Sequence, residues 1–205
     1  MEQTKESKKA FSLAVIFVVT TYLVCANSFF HPDGKVFVKL SKVLMLLPVV
    51  LSMINIIYLK KYKENISREA LLNCAVLVKY SLIPLFIAGF VLCLCCLLLM
   101  FTPVIIMAFA APMMIGLLCV LGWLYMVCGS GFSMAYIRKA SKDKVHGIVF
   151  TVLAAICQFV SVLDVLALMV LTVKEKKHIV KTVLVLSAVF LVAVIGIIRV
   201  VIMFA

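Results

Sequence analysis

Apolar residues run through this chain in unbroken stretches of about 17–30 residues, the length an α-helix needs to span about 30 Å of hydrocarbon. Charge is confined to short clusters between the stretches. Inside them apolar side chains neither alternate with polar ones, as a membrane barrel requires, nor leave a polar face for water. Lipid offers backbone groups no hydrogen bonds, so such runs must close their own as helices. The pattern predicts an all-α polytopic integral membrane protein, a compact bundle of about six transmembrane helices forming one domain over 1–205. The expected crossings are 10–30, 43–59, 80–101, 113–137, 146–173 and 179–204, with a cytoplasmic N-terminus.

The stretch 70–137 holds one charge, Lys79, and is too long for one crossing. Its length fits three crossings, which would give seven in all. A third, however, needs a turn at Ala88-Gly89-Phe90-Val91, where no polar side chain could satisfy freed backbone groups. Turn signals do occur at Thr102-Pro103 and Ala111-Pro112. Two crossings are therefore expected, with 70–79 as an interfacial lead-in and 103–112 as a short broken or re-entrant piece. Ser67 and Glu69 read as a cap and a first-turn acid opening a helix. Asn65-Ile66-Ser67 matches a glycosylation sequon, inert on the cytoplasmic side where it is expected.

Composition agrees: 66% of residues are hydrophobic and mean hydropathy is +1.28, against about 45–50% apolar in soluble domains. The net charge of +12 invites a nucleic-acid reading. The Lys and Arg sit at helix ends, so lipid topology and anionic head groups account for them better, and no nucleic-acid partner is expected. With six crossings the inner segments carry three, four and four Lys/Arg, the outer ones three, none and four. Inward bias is modest, and the cluster of Lys174, Lys176, Lys177 and Lys181 falls on the wrong side. A seven-span arrangement yields the same totals. Short connections and the lack of organelle signals point to a cell membrane, a bacterial inner membrane in particular. The start also resembles a signal peptide, with Val24-Cys25-Ala26 as a small-residue cleavage pattern, but its apolar part is long for one.

Candidate chemistry centres on Asp164, the only acidic residue within any apolar run. A lone carboxylate near a bilayer centre costs about 3 kcal/mol on insertion scales, so it should turn inward. On one continuous helix, Thr151, Gln158, Ser161 and Asp164 form a polar stripe, expected either as a substrate or proton site or as an interhelical hydrogen-bond seam. Ser52 and Asn55, three apart, are secondary candidates, as are Lys79 and Arg199. Lys79 is expected to snorkel to head groups. Arg199 and Asp164 differ in depth by about 15 Å at 1.5 Å per residue, and Lys79 lies deeper still on the inner side. Asp164 is thus expected to have no strong basic partner.

Gly129 and Ser133 form a small-xxx-small pair for close helix approach. The eight cysteines, Cys93, Cys95 and Cys96 clustered among them, lack CxxC spacing with a polar shell, and packing is their expected role. No metal and no cofactor is expected. HExxH, GxSxG and P-loop signatures are missing, as are paired intramembrane carboxylates. The expectation is a non-enzymatic protein of a transport or small-substrate-binding type. The alternative is an accessory or structural membrane subunit packing against another membrane protein; an intramembrane enzyme is a third class.

Overall fold

The computed structural model describes residues 2–29, 35–62, 64–101, 105–143, 145, 147–175, 180, 183–184 and 187–188. Its six helices are α1 (Glu2–Phe29), α2 (Lys35–Tyr62), α3 (Arg68–Met100), α4 (Ile105–Lys142), α5 (Ile148–Cys157) and α6 (Ser161–Lys174), and no strand occurs among the described residues. Among the described residues three helices, Gln3–Asn27, Arg68–Met100 and Ile106–Lys142, are long and apolar enough to cross a membrane. The all-α membrane bundle read from the runs is the fold observed.

Helices α1 to α4 pack as an antiparallel group whose ends meet in one polar layer, here the base. There the Tyr58 hydroxyl donates to Glu6, joining α2 to α1. Ser67 opens α3 by accepting from the Ala70 amide at 3.1 Å, as its position predicts, with Glu69 in the first turn. Lys142 pairs with Glu64 at 3.0 Å, and Lys139 donates to the Glu64 and Ile66 carbonyls, tying α4 to the loop before α3. Above this layer the core is apolar and dense, built from Ala14 and Phe17 of α1, Leu72 and Val78 of α3, and Phe132 of α4. Gly129 lets α4 approach closely: a Cβ there would stand 3.2 Å from Val78 Cγ1 and 3.4 Å from Leu82 Cδ1. Gly131 does the same toward α2, with Ile56 Cγ1 at 3.2 Å. Ser52 of α2 donates to the Cys128 carbonyl of α4 at 2.9 Å, a direct interhelical bond.

Three expectations change. The segment 70–79 is no interfacial lead-in but the start of α3, which continues to Met100 without a break at Gly89. The described part of 103–112 is not a separate broken piece, because α4 runs from Ile105 through Pro112 to Lys142. Proline removes one amide and frees one carbonyl, but neighbouring polar groups and local adjustment can satisfy it in a membrane helix. The far ends of both helices are exposed, Phe101 at 81% and Ile106 at 75%.

The third change is the largest. The run 146–173, expected to be one crossing, is two helices separated by a turn at 158–160. The turn is closed by amides of Gln158, Phe159 and Val160 that bond back three residues to Ala155, Ile156 and Cys157. Its two ends meet at the base: Arg68 lies 3.5 Å from Asp143, ahead of α5, and 3.2 Å from Glu175, just after α6. The Lys174 ammonium stands 4.3 Å over the Phe150 ring, joining the end of α6 to the start of α5. The segment enters from the base, reverses inside and returns. At 1.5 Å per residue α5 rises about 15 Å, half of a hydrocarbon core. The segment is a short helical hairpin, and neither of its helices is long enough to span that thickness alone.

Leu184 and Ala188 lie with Tyr80, Ile83, Pro84 and Ile87 around an apolar groove on α3. Of the expected crossing 179–204 only residues 180, 183–184 and 187–188 are described, and Arg199 lies outside the described residues.

Candidate functional site

The reversal changes the depth of every residue after it. Lys79 stands eleven residues beyond Arg68, and Asp164 stands eleven residues before Glu175. Arg68 and Glu175 touch at the base, so both side chains originate about 16 Å above it. There Lys79 Nζ and Asp164 Oδ2 are 2.5 Å apart, each side chain 1% exposed. Lys79 also approaches the Met126 carbonyl of α4 at 3.4 Å. The two expectations for these residues are both overturned. Asp164 has a basic partner, and Lys79 does not snorkel. The depth estimate behind them assumed a continuous crossing, which places Asp164 at the wrong level.

The local sequence explains the placement. Val160 caps α6 without a side-chain hydrogen bond, and the Asp164 amide bonds back to the Val160 carbonyl at 2.8 Å. Asp164 thus falls in the first turn of α6, where the helix dipole favours a negative charge. Gln158 is the last residue of the α5 terminus and is wholly buried. Neither its amide oxygen nor its amide nitrogen has a hydrogen-bond partner, and Asp164 Oδ1 has none either. The centre is therefore a closed ion pair whose carboxylate keeps one oxygen with spare acceptor capacity, and the turn leading into α6 holds a buried primary amide with both functions open.

The stripe does not survive as one surface. Gln158 and Asp164 are both at the hairpin tip, and Ser161 is the first residue of α6 between them. Thr151 is elsewhere, low on α5, where its hydroxyl donates to the Gly147 carbonyl at 3.1 Å. Ser52 is spent on the Cys128 carbonyl, and Asn55 is buried on α2 with Oδ1 unpartnered. Lys79, a secondary candidate by sequence, is half of the centre.

At the base the hairpin is fastened by Glu175. Its Oε1 accepts from the Tyr136 hydroxyl at 2.6 Å and lies 3.2 Å from Arg68 Nε. The Arg68 Nε contact lacks hydrogen-bond alignment, so it acts through charge. No group of three or more His, Cys, Asp or Glu with metal-holding geometry occurs among the described residues, and the cysteines are free thiols.

A family model matches residues 7–177, more than four fifths of the chain. The chain belongs to the DUF6652 family. DUF6652 is described as a family of unknown function, and its match closes two residues beyond Glu175, so it takes in α5 and α6 entire. No curated protein and no solved structure matches the chain.

Proposed function

We propose that this DUF6652 protein is a non-enzymatic membrane transport protein that binds a small polar solute or ion at the Lys79–Asp164 centre. The observation that carries this is the ion pair itself, enclosed at the tip of a short hairpin about 16 Å above the base. A buried pair is a poor way to gain stability, since well-packed apolar residues of similar volume do as well or better. Ionisable groups at this depth mark solute and proton paths, and broken helices that meet at the midplane are a recurrent device of secondary transporters.

The hairpin also supports an orientation. With 146–175 returning to the base, the segment that opens at Lys174 counts with the N-terminal tail and the clusters at 60–68 and 138–144. Among the described residues the base then holds ten Lys/Arg (Lys5, Lys8, Lys9, Lys60, Lys61, Arg68, Arg138, Lys139, Lys142 and Lys174), against Lys35, Lys39 and Lys42 toward the opposite end of α2. The inward bias becomes strong, and we place the base on the cytoplasmic side of a cell membrane. Exposed Lys5, Lys8, Lys60 and Lys61 would meet anionic lipid head groups there. The rival reading, an accessory subunit docking through small-residue faces, loses Gly129 and Gly131, which are filled by the bundle's own helices.

The test is solute and proton flux in proteoliposomes, comparing the wild type with the double variant Lys79→Met/Asp164→Leu. Removing both charges together preserves the fold, so folded double variant with flux abolished is the expected result. Undiminished flux in the double variant would remove the Lys79–Asp164 centre as the site, and a wild type that passes neither solute nor proton would end the transport reading.

A further inference from the structure

We infer that the hairpin tip is a proton-controlled receptor for a small monovalent anion, and this rests on the transport reading above. In the closed state Lys79 has Asp164 as its counter-ion. A proton arriving on Asp164 Oδ1, the carboxylate oxygen with no partner, turns the carboxylate into a neutral acid. The ammonium is then left at mid-depth without a counter-charge, and an anion is the group that restores neutrality. Proton and anion enter together, and the buried centre carries no net charge before or after.

The surroundings select an anion over a cation. Lys79 supplies a full positive charge. The first turn of α6 supplies amide donors and the positive end of its dipole, with no side-chain cap on Val160 to occupy them. Gln158, wholly buried in the turn leading into α6, has an amide nitrogen without a partner. A metal cation would instead have to sit beside an ammonium that already lies 2.5 Å from the carboxylate. Full enclosure of Lys79, Asp164 and Gln158 limits the guest to something small.

Helices α3, α4 and α5 pack against or beside α6. Arg68 of α3 and Tyr136 of α4 lie at the base with Glu175. The titratable groups nearer the tip are Lys79 and Tyr80 on α3, Tyr125 and Cys128 on α4, and Cys157 on α5, and among these Lys79 alone carries a charge. Asp164 is therefore the group whose protonation sets the site.

The experiment is an infrared pH titration of the full-length protein in lipid nanodiscs, with chloride, nitrate and formate as probes. Asp164→Asn identifies the carboxylic-acid band. Anions that bind only the protonated form raise the midpoint, by one pH unit for each tenfold rise in anion above its dissociation constant; reciprocally, apparent anion affinity rises tenfold per unit fall in pH. Gln158→Met leaves the ion pair in place, so it tests the receptor even where a charge variant fails to fold. Measured against its own anion-free midpoint, it should weaken the anion response at least threefold. A midpoint that none of the three anions moves, one that sodium lowers, or an unaltered response in Gln158→Met overturns the inference. Flux that needs Lys79 and Asp164 alongside an unmoved midpoint leaves the transport reading standing without the anion site. A midpoint moved by anions in a protein that passes no solute upholds the site and retires transport.

Discussion

Two helical hairpins in this molecule solve the same packing problem differently. The α3–α4 pair is long and nearly uncharged along its length, joined by close approach at Gly129 and by apolar side chains. The α5–α6 pair is short and carries its polar groups at the tip, where Asp164 reaches across to Lys79. A long hairpin can place its turn beyond the hydrocarbon and needs only shape to hold it. A short one leaves its turn inside, and its freed backbone ends and polar side chains need partners there. Depth of the turn, more than the sequence of either helix, decides whether charge enters the core.

The contrast breaks most directly at the topology. In a cysteine-free background, single cysteines at the exposed positions Gly147 and Lys174 should react with an impermeant maleimide from the same face of sealed vesicles; labelling from opposite faces would restore a fifth crossing. Next in size is the ion pair. Lys79→Met or Asp164→Leu alone strands a buried charge and should cost about 3–5 kcal/mol, while the double variant should recover most of that loss. Thermal unfolding in detergent reads the cycle, and additive losses would mean that the pair is not coupled. Tyr136→Phe removes a donor from the buried Glu175 carboxylate and should cost about 1.5–3 kcal/mol by the same assay. In the long hairpin, Gly129→Leu forces α3 and α4 apart and should cost about 1–3 kcal/mol. Gly116→Leu meets open space and should stay within about 0.5 kcal/mol of wild type, so equal effects would show that shape does not hold this pair.

Most of the fold was legible. Uncharged runs of bilayer length can be little else than helices, and the unbroken passage of α3 through Gly89 follows from the lack of any polar group there to rescue a turn. The hairpin was not, because its turn at Gln158-Phe159-Val160 contains neither Gly nor Pro. Its apolar content matches a helix, and only tertiary contacts at the base oblige it to reverse. One signal did point to it: the Lys174–Lys181 cluster sits on the wrong side of the six-crossing arrangement, which puts five full crossings before it. Reading that conflict as evidence for a reversal would have brought Lys79 and Asp164 to one level. Instead, depth counted along a continuous helix kept them apart, and Thr151 joined a stripe to which it does not belong. The close approach at Gly129 needed no such correction, since spacing on a single helix carries it.

The reach of the two longest helices has a consequence of its own. At 1.5 Å per residue α3, with 33 residues, extends about 50 Å, and α4, with 38, about 57 Å, against about 30 Å of hydrocarbon. A tilt of about 40°, the upper end for membrane helices, still leaves α3 close to 40 Å tall. Lipids around this pair have to stretch, or Phe101 and Ile106 emerge among the head groups. Acyl-chain length thereby acts on the protein as a mechanical variable: thicker bilayers should favour it, and thinner ones should strain the hairpin or drive copies together to share the mismatch.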